Sequence, residues 1–328
     1  MEAQMSSHRS RRRLSVLVAG LAGLALAAFT AAPAGAVVNA TTWTVQVGAQ
    51  SRSGSVQGMA YGPSEIWVDT GDTVRWVAAS MEPHTVSFID AQHPSDGFDP
   101  SKTYMAVQTP ETWISAPGQF RNSGVMATTS DPALPPAVGS YELTFTGPGD
   151  YTYTCYLHGA AMVGVVHVRA AGTAYPFTQQ QYDSQANAAR GALLDDGNAL
   201  YANARDLATA NHVYVGASDM TALVMRYVKD KITIKVGESV TFDANLNMIP
   251  VPHTVTFGTE PPSPYMTIGD PTAFSGGDLA SGVLFPSIFN VPGTRSTFTV
   301  TFTAPGTYAY RCAFHDGMGM VGQVVVLP

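Results

Sequence analysis

The chain has 328 residues, 17 of them lysine or arginine and 24 aspartate or glutamate, a formal charge of −7 at neutral pH, and two cysteines. So acidic a chain has no electrostatic case for binding nucleic acid. Its length accommodates two domains with separate cores.

The amino end carries Arg9, Arg11, Arg12 and Arg13, then an apolar run from Leu14 to Phe29, then Ala34-Gly35-Ala36 before Val37. That is the layout of a signal peptide over residues 1–36, with a small-residue cleavage site. The apolar run falls short of the roughly 20 residues a membrane-spanning helix needs, and no other segment is apolar enough to span. Ser10-Arg11-Arg12-Arg13-Leu14 is similar to a twin-arginine export signal, and no cysteine near the cleavage site offers a point for lipid attachment. An exported protein is expected, extracellular, at the cell surface or periplasmic. Cleavage removes four arginines and one glutamate, so the mature chain is more acidic still.

Beyond the leader the sequence is written twice. Val45-Gln46-Val47-Gly48-Ala49 returns as Val213-Tyr214-Val215-Gly216-Ala217, and Ile66 to Val74 returns as Ile232 to Val240. Ser123-Gly124-Val125 returns as Ser281-Gly282-Val283, and Pro148-Gly149-Asp150-Tyr151-Thr152-Tyr153 as Pro305-Gly306-Thr307-Tyr308-Ala309-Tyr310. Two homologous domains follow, over 41–170 and 211–328. The spacing between copies shortens along the chain, so the first domain carries extra loop between its histidine and its cysteine. Within each copy, short runs rich in Val, Ile, Thr, Tyr and Phe alternate with Gly, Pro and Asp turns, the pattern of a sandwich of seven or eight strands. Stretches 91–140 and 258–296 are too irregular for core strands, and by position they drape near the ends that carry the histidines.

Between the copies, over 171–210, the pattern turns helical. Tyr182, Ala186, Ala189 and Leu193 fall on one face and Leu200, Ala204 and Leu207 on another, separated by Asp195-Asp196-Gly197-Asn198. This predicts a short helical hairpin or broken helix from about Gln179 to Ala210, acting as a structural strap across the two sandwiches.

The chemistry lies in two matching constellations. Pro83-His84-Thr85-Val86 is followed by Cys155-Tyr156-Leu157-His158 and Met162; Pro252-His253-Thr254-Val255 is followed by Cys312-Ala313-Phe314-His315 and Met320. A thiolate, an imidazole and a thioether on one short loop, joined by a histidine from a neighbouring strand, suit copper cycling between two oxidation states. Three residues separate His158 from Met162 and four separate His315 from Met320, and Met-Val-Gly follows both loops, which makes Met162 and Met320 equivalents. Met318 competes with Met320 in the second loop. Each cysteine opens the same Cys-x-x-His unit, so they read as thiolate ligands in separate domains instead of a disulfide pair.

These residues resemble the blue (type 1) copper proteins of the cupredoxin family, such as plastocyanin, where an upstream histidine joins a Cys-x-x-His…Met loop. The resemblance covers nearly all of 41–170 and 211–328. It implies an all-β chain of two Greek-key β-sandwich domains joined by a short helical linker, holding two copper ions, one per domain. The ligands it implies are His84, Cys155, His158 and Met162 in the first domain and His253, Cys312, His315 and Met320 in the second. His158 and His315, on the loop apices, are expected to show an edge at the surface, with His84 and His253 deeper. The implied function is electron transfer with redox partner proteins. Gly159-Ala160-Ala161 offers a small apolar rim for docking, and either the two sites face different partners or one passes electrons to the other.

Two rival functions fit less well. Copper nitrite reductases and two-domain multicopper oxidases place a histidine beside the blue-site cysteine, whereas Thr154 and Tyr156 flank Cys155, and Arg311 and Ala313 flank Cys312. No His-x-His pair occurs, and outside the leader only His93, His167 and His212 remain unassigned, as surface residues, which disfavours an enzyme. A copper storage or delivery protein would carry Met-rich or His-rich runs, and none is present.

Overall fold

A computed structural model describes residues 40–99, 101–130 and 134–328 of the chain; the expected leader, 1–36, lies outside the described residues. The first half runs β1 (Thr42–Gln50), β2 (Val56–Gly62), β3 (Glu65–Asp69), β4 (Thr73–Ala78), β5 (Ser87–Phe88), β6 (Trp113–Ile114), β7 (Arg121–Asn122), β8 (Ser140–Phe145), β9 (Gly149–Cys155) and β10 (Gly159–Arg169). Helix α1 (Gln179–Leu207) leads to β11 (His212–Ser218), β12 (Ala222–Val228), β13 (Lys231–Lys235), β14 (Ser239–Asp243), β15 (Thr256–Phe257), β16 (Thr267–Ile268), β17 (Leu279–Ser281), β18 (Thr297–Thr301), β19 (Gly306–Arg311) and β20 (Val321–Leu327).

Alternation of side chains across each strand makes the sandwich. In β8 the residues Tyr141, Leu143 and Phe145 are buried, and in β13 Ile232 and Ile234 are buried between exposed lysines and threonine, the two-residue period of a half-buried strand. The first domain closes around Trp76, Tyr61, Phe88, Phe145 and Tyr153, and the second around Phe242, Phe257, Phe302, Tyr227 and Tyr310. The cores match in detail. Tyr61 packs edge-on to Tyr153 at 4.6 Å and Tyr227 to Tyr310 at 4.7 Å between ring centres.

The two sandwiches share a sheet. Strands run β18-β14-β11-β12-β2-β1-β4-β8-β6 in one nine-stranded sheet, with five- and six-stranded sheets completing the two domains. β2 and β12 join antiparallel, and Gln57 stands opposite Leu223, the residue in the same place of the other copy. The Met59 amide donates to the Thr221 carbonyl and the Met225 amide to the Ser55 carbonyl, both at 2.9 Å, so the seam has local two-fold symmetry. Each domain thereby covers the other's sheet edge, which removes two exposed strand templates. Met59, Leu223, Met225, Ile249, Val251 and Met318 pack together along this seam, with Met81 and Ala161 against them.

The linker differs from the broken helix that its sequence suggests: α1 is one uninterrupted helix. Thr178 caps it, its hydroxyl accepting from the Gln181 amide while the Gln181 side chain accepts from the Thr178 amide at 2.8 Å. Gly197 does not break it, because a Cβ there would collide with Val56; the glycine lets the helix lie close on β2. Helix and domains are clasped on both sides, by Gln179 on the Thr44 backbone, by Tyr182 accepting the Trp67 amide at 2.9 Å, and by Asp196 on the Thr221 hydroxyl. No helix among the described residues is long and apolar enough to cross a membrane.

Candidate metal centres

Each centre is assembled from three places in its sandwich. His84 and His253 follow the crossing out of β4 and of β14, and each exchanges two backbone hydrogen bonds with the long loop: His84 with Met126 at 2.9 and 2.7 Å, His253 with Leu284 at 3.0 and 2.7 Å. The two irregular stretches thus lay their middle segments against the upstream histidines. Cys155 ends β9 and His158 lies in the turn before β10; Cys312 and His315 repeat this after β19.

In domain 1, His84 Nδ1 stands 3.1 Å from His158 Nδ1, which stands 3.4 Å from Cys155 Sγ. In domain 2, His253 Nδ1 is 3.1 Å from His315 Nδ1 and 3.9 Å from Cys312 Sγ, and His315 Nδ1 is 3.5 Å from that sulfur. In each group the three ligand atoms lie within 4.8 Å of one another and all three residues are buried. Both cysteines are free thiols in separate domains. Met162 and Met320 are buried in the same core clusters as Cys155 and Cys312 respectively. Met318 instead joins the seam, where the Gln57 amide donates to its sulfur at 3.7 Å.

The family model of copper binding proteins, plastocyanin/azurin family, matches this chain twice, over residues 46–169 and 213–327. The chain belongs to that family. Its similar relatives include the chloroplastic plastocyanins of Oryza sativa subsp. indica, 35% identical over 36% of this chain and 64% of that one, and of Pisum sativum, 33% identical over 42% and 74%. Among solved structures, the reduced Cu(I) form of a singly substituted amicyanin aligns over 39% of this chain and 82% of its own at 21% identity and a TM-score of 0.24. An oxidised Dryopteris crassirhizoma plastocyanin aligns over 35% and 99% at 20% identity and a TM-score of 0.24.

The donors fit the metal of a plastocyanin/azurin family member. Two imidazole nitrogens and a sulfur converge in each domain, a mixed nitrogen and thiolate set suited to copper. Electrostatics favour the thiolate. Burial pushes the Cys155 thiol up, but the charge and hydrogen bond of His158 and the Thr85 amide outweigh it and hold the thiol below its ordinary range; Cys312 is lowered in the same way by His315 and Thr254. Burial pulls His158 down, yet the Cys155 charge and hydrogen bond, with the Glu82 contact, lift it to about 10. Burial, then the neighbouring histidine, push His84 and His253 well below the ordinary range, which keeps them neutral and ready to ligate.

The surroundings repeat as well. The Thr85 amide donates to Cys155 Sγ at 3.3 Å and the Thr254 amide to Cys312 Sγ at 3.4 Å. Each threonine hydroxyl accepts the amide after its cysteine, from Tyr156 and Ala313, at 2.8 Å. Ser123 and Ser281 each accept the amide of the valine two residues past the upstream histidine, at 2.8 Å. Tyr61 and Tyr227 donate to the Thr85 and Thr254 carbonyls at 2.5 and 2.6 Å. Gly48 and Gly216, with φ of 75° and 73°, sit at bulges in β1 and β11 against the rings of His84 and His253. Repetition of Pro-His-Thr-Val, Ser-Gly-Val and Val-x-Val-Gly-Ala was the signal for these supports, although nothing in the sequence assigned their roles.

Two features depart from the sequence reading. The downstream histidines are more enclosed than expected, at 7% and 6% exposure, because both loops turn into the seam between domains. The edge of His158 also has its own partner: Nε2 lies 3.3 Å from Glu82 Oε1. Of the remaining histidines, His93, His167 and His212 are half-buried and pair with Asp90, Asp150 and Asp243, and none joins either metal group.

Proposed function

We propose that this is an exported electron carrier with two blue copper sites, one in each domain, and that it is not an enzyme. His84, Cys155, His158 and Met162 would hold one ion, and His253, Cys312, His315 and Met320 the other. The observation that carries the reading is the buried convergence of two imidazoles and a thiolate in each domain. Copper so held supplies a one-electron couple whose ligand set suits both oxidation states, so little need move on reduction.

The protein's own contribution is to hold those ligands before the metal arrives. Backbone amides of Thr85 and Thr254 brace the sulfurs, and Tyr61 and Tyr227 tie the histidine loops to the cores. Membership of a family of copper binding proteins, and a metal group of the same composition in each domain, support a carrier. The carrier reading requires redox partner proteins on either side. The leader-like 1–36 supports export, and the amino-terminal sequence of secreted protein would test it.

Visible absorption and EPR spectra of the copper-loaded chain, with copper counted per chain, test the function. Two ions and an intense thiolate-to-copper band are expected, with one ion and part of the band lost in Cys155→Ala, the same in Cys312→Ala, and all of the band in the double variant. Bound copper with no such band would refute the carrier and favour storage or delivery.

A further inference from the structure

The loops that carry the ligands of both domains meet in one apolar cluster. Met81 lies three residues before His84, Ala161 between His158 and Met162, Val251 two before His253, and Met318 between His315 and Met320, and all four pack in the seam. Ala161 and Met318 are each one hydrogen bond from a downstream histidine, their amides donating to the His158 and His315 carbonyls at 3.2 and 3.0 Å. Met81 reaches across the boundary. It sits between Ser80, whose Oγ stands 3.0 Å from His84 Nε2, and Glu82, whose Oε1 stands 3.3 Å from His158 Nε2. At its far end, a Cβ placed on Gly317 would stand 3.6 Å from Met81 Cε, an ordinary contact distance. Gly54 lies between Met81 and Met318 as well, for a Cβ there would stand 3.7 Å from Met81 Sδ and 3.4 Å from Met318 Cα. Packed atoms therefore run from His158 through Glu82 and Met81 to Gly317, Met318 and His315. The same packing leaves His158 and His315 only 7% and 6% exposed.

We propose that the seam is an electron path, and that the two centres share an electron within one chain, in both directions, faster than either gives it to another copy. This rests on the reading of both sites as blue copper centres. One electron leaves reduced copper in one domain and reduces oxidised copper in the other, so the step balances with no bond made or broken and no proton moved. Tunnelling falls steeply with every gap between atoms, and a seam packed like a protein interior leaves few gaps and little water. Ligands held in place before the metal arrives keep the rearrangement small. Pairing of β2 with β12 fixes the two centres relative to each other, which makes the transfer intramolecular and independent of protein concentration. A second copy lacks that access, because the facing domain already covers each downstream histidine. Both groups offer two imidazoles and a thiolate, so neither donor set by its composition traps the electron.

The test is amide NMR of the copper-loaded full chain at half reduction, where the signals of each domain report on its own centre. Signals of both domains should average between their oxidised and reduced positions, at a rate that dilution leaves unchanged. Mixing Cys312→Ala protein, with site 1 reduced, and Cys155→Ala protein, with site 2 oxidised, should lose that averaging and show only slower transfer that rises with concentration. A readout without copper is hydrogen exchange of the metal-free full chain. The Met59 and Met225 amides, which bond across the seam, should be protected as core strands are. With blue bands present at both sites, three results would each overturn the proposal alone: an averaging rate that falls in proportion to dilution, reduction of one domain to completion before the other begins, or a mixture that exchanges as fast as the native chain. Seam amides that exchange like an exposed edge would overturn it too, since an open seam presents the histidines to other molecules. Absence of a blue band from both single-site proteins would overturn the copper reading and the proposal together.

Discussion

Replacing Gly216 by alanine should empty site 2 and spare site 1. Gly216 sits at the bulge in β11 with φ of 73°, a conformation that costs an L residue about 1–2 kcal/mol. A Cβ built there would stand 2.5 Å from His253 Nε2 and 3.0 Å from its Cε1, inside van der Waals contact. Relief requires the ring or the strand to move, and overpacking of this kind costs about 1–3 kcal/mol. Together the two effects remove about 2–5 kcal/mol, a large part of a domain's stability. The atoms that must move belong to the ring whose Nδ1 lies 3.1 Å from His315 Nδ1, so the metal group is distorted along with the core. Denaturant unfolding of the metal-free chain, with copper counting and visible spectra on the loaded one, would check this. Gly237→Ala is the control, because Gly237 also has a positive φ, of 88°, but a Cβ there meets nothing within 4 Å. If Gly216→Ala unfolds no earlier than Gly237→Ala and retains both coppers, then close approach of the β11 backbone does not position His253. Gly48→Ala should produce the mirror result at site 1, since its Cβ would fall on Ser80 Oγ and His84 Nε2.

Other consequences can be measured on the same protein. Asp72 accepts from the Thr41 amide at 2.8 Å, Trp43 Nε1 at 3.1 Å, the Asp69 amide at 2.9 Å and Tyr175 OH at 2.8 Å, so Asp72→Ala should cost about 3 kcal/mol or more by stranding several donors. Glu238, its repeat counterpart, is exposed and its carboxylate accepts the Lys235 amide at 2.6 Å, so Glu238→Ala should cost about 1 kcal/mol, well below Asp72→Ala, in chemical unfolding. Burial depresses His84 and His253, so the unfolded chain binds protons below about pH 6.5 that the folded chain refuses. The stability that these two histidines contribute to the metal-free protein is therefore complete above that pH and falls below it by about 1.4 kcal/mol per pH unit for each, until the folded values are reached; a flat profile from pH 6.5 to 5 in denaturant titrations would contradict this. Met320→Ala should alter the visible and EPR spectra of site 2, whereas Met318→Ala should leave the spectra alone and destabilise the seam by about 2–5 kcal/mol; spectra that respond to Met318 and not to Met320 would reverse the assignment of the two methionines.

The sequence exposes the His-Cys-His groups because their residue types recur in the same order in two copies, and a chance match would have to happen twice. The same doubling marks the valine, serine and glycine positions that surround them. The uninterrupted α1 escapes because Asp195-Asp196-Gly197-Asn198 has the composition of a turn. Its continuity is decided by what lies beneath it: Gly197 fits over Val56, and Asp196 finds the Thr221 hydroxyl. The shared sheet escapes for a related reason. Pairing of β2 with β12 depends on two edges meeting across a long sequence separation, and neither strand carries a local signal of its partner. The contact of Glu82 with His158 has no signal in the sequence, because only the fold brings the two together. The enclosure of His158 and His315 likewise depends on the facing domain, which the expectation of a surface edge left out.

The seam in which Gln57 faces Leu223 has the geometry of an isologous dimer contact, with the same patch used by both copies. In a dimer of identical chains any substitution at such a contact appears on both sides at once, and the two metal centres must remain twins. Joining the copies by α1 lifts that constraint. One copy can carry Glu82 where the other carries Val251, and a contact that symmetry would hold even becomes a place where the two halves are free to specialise.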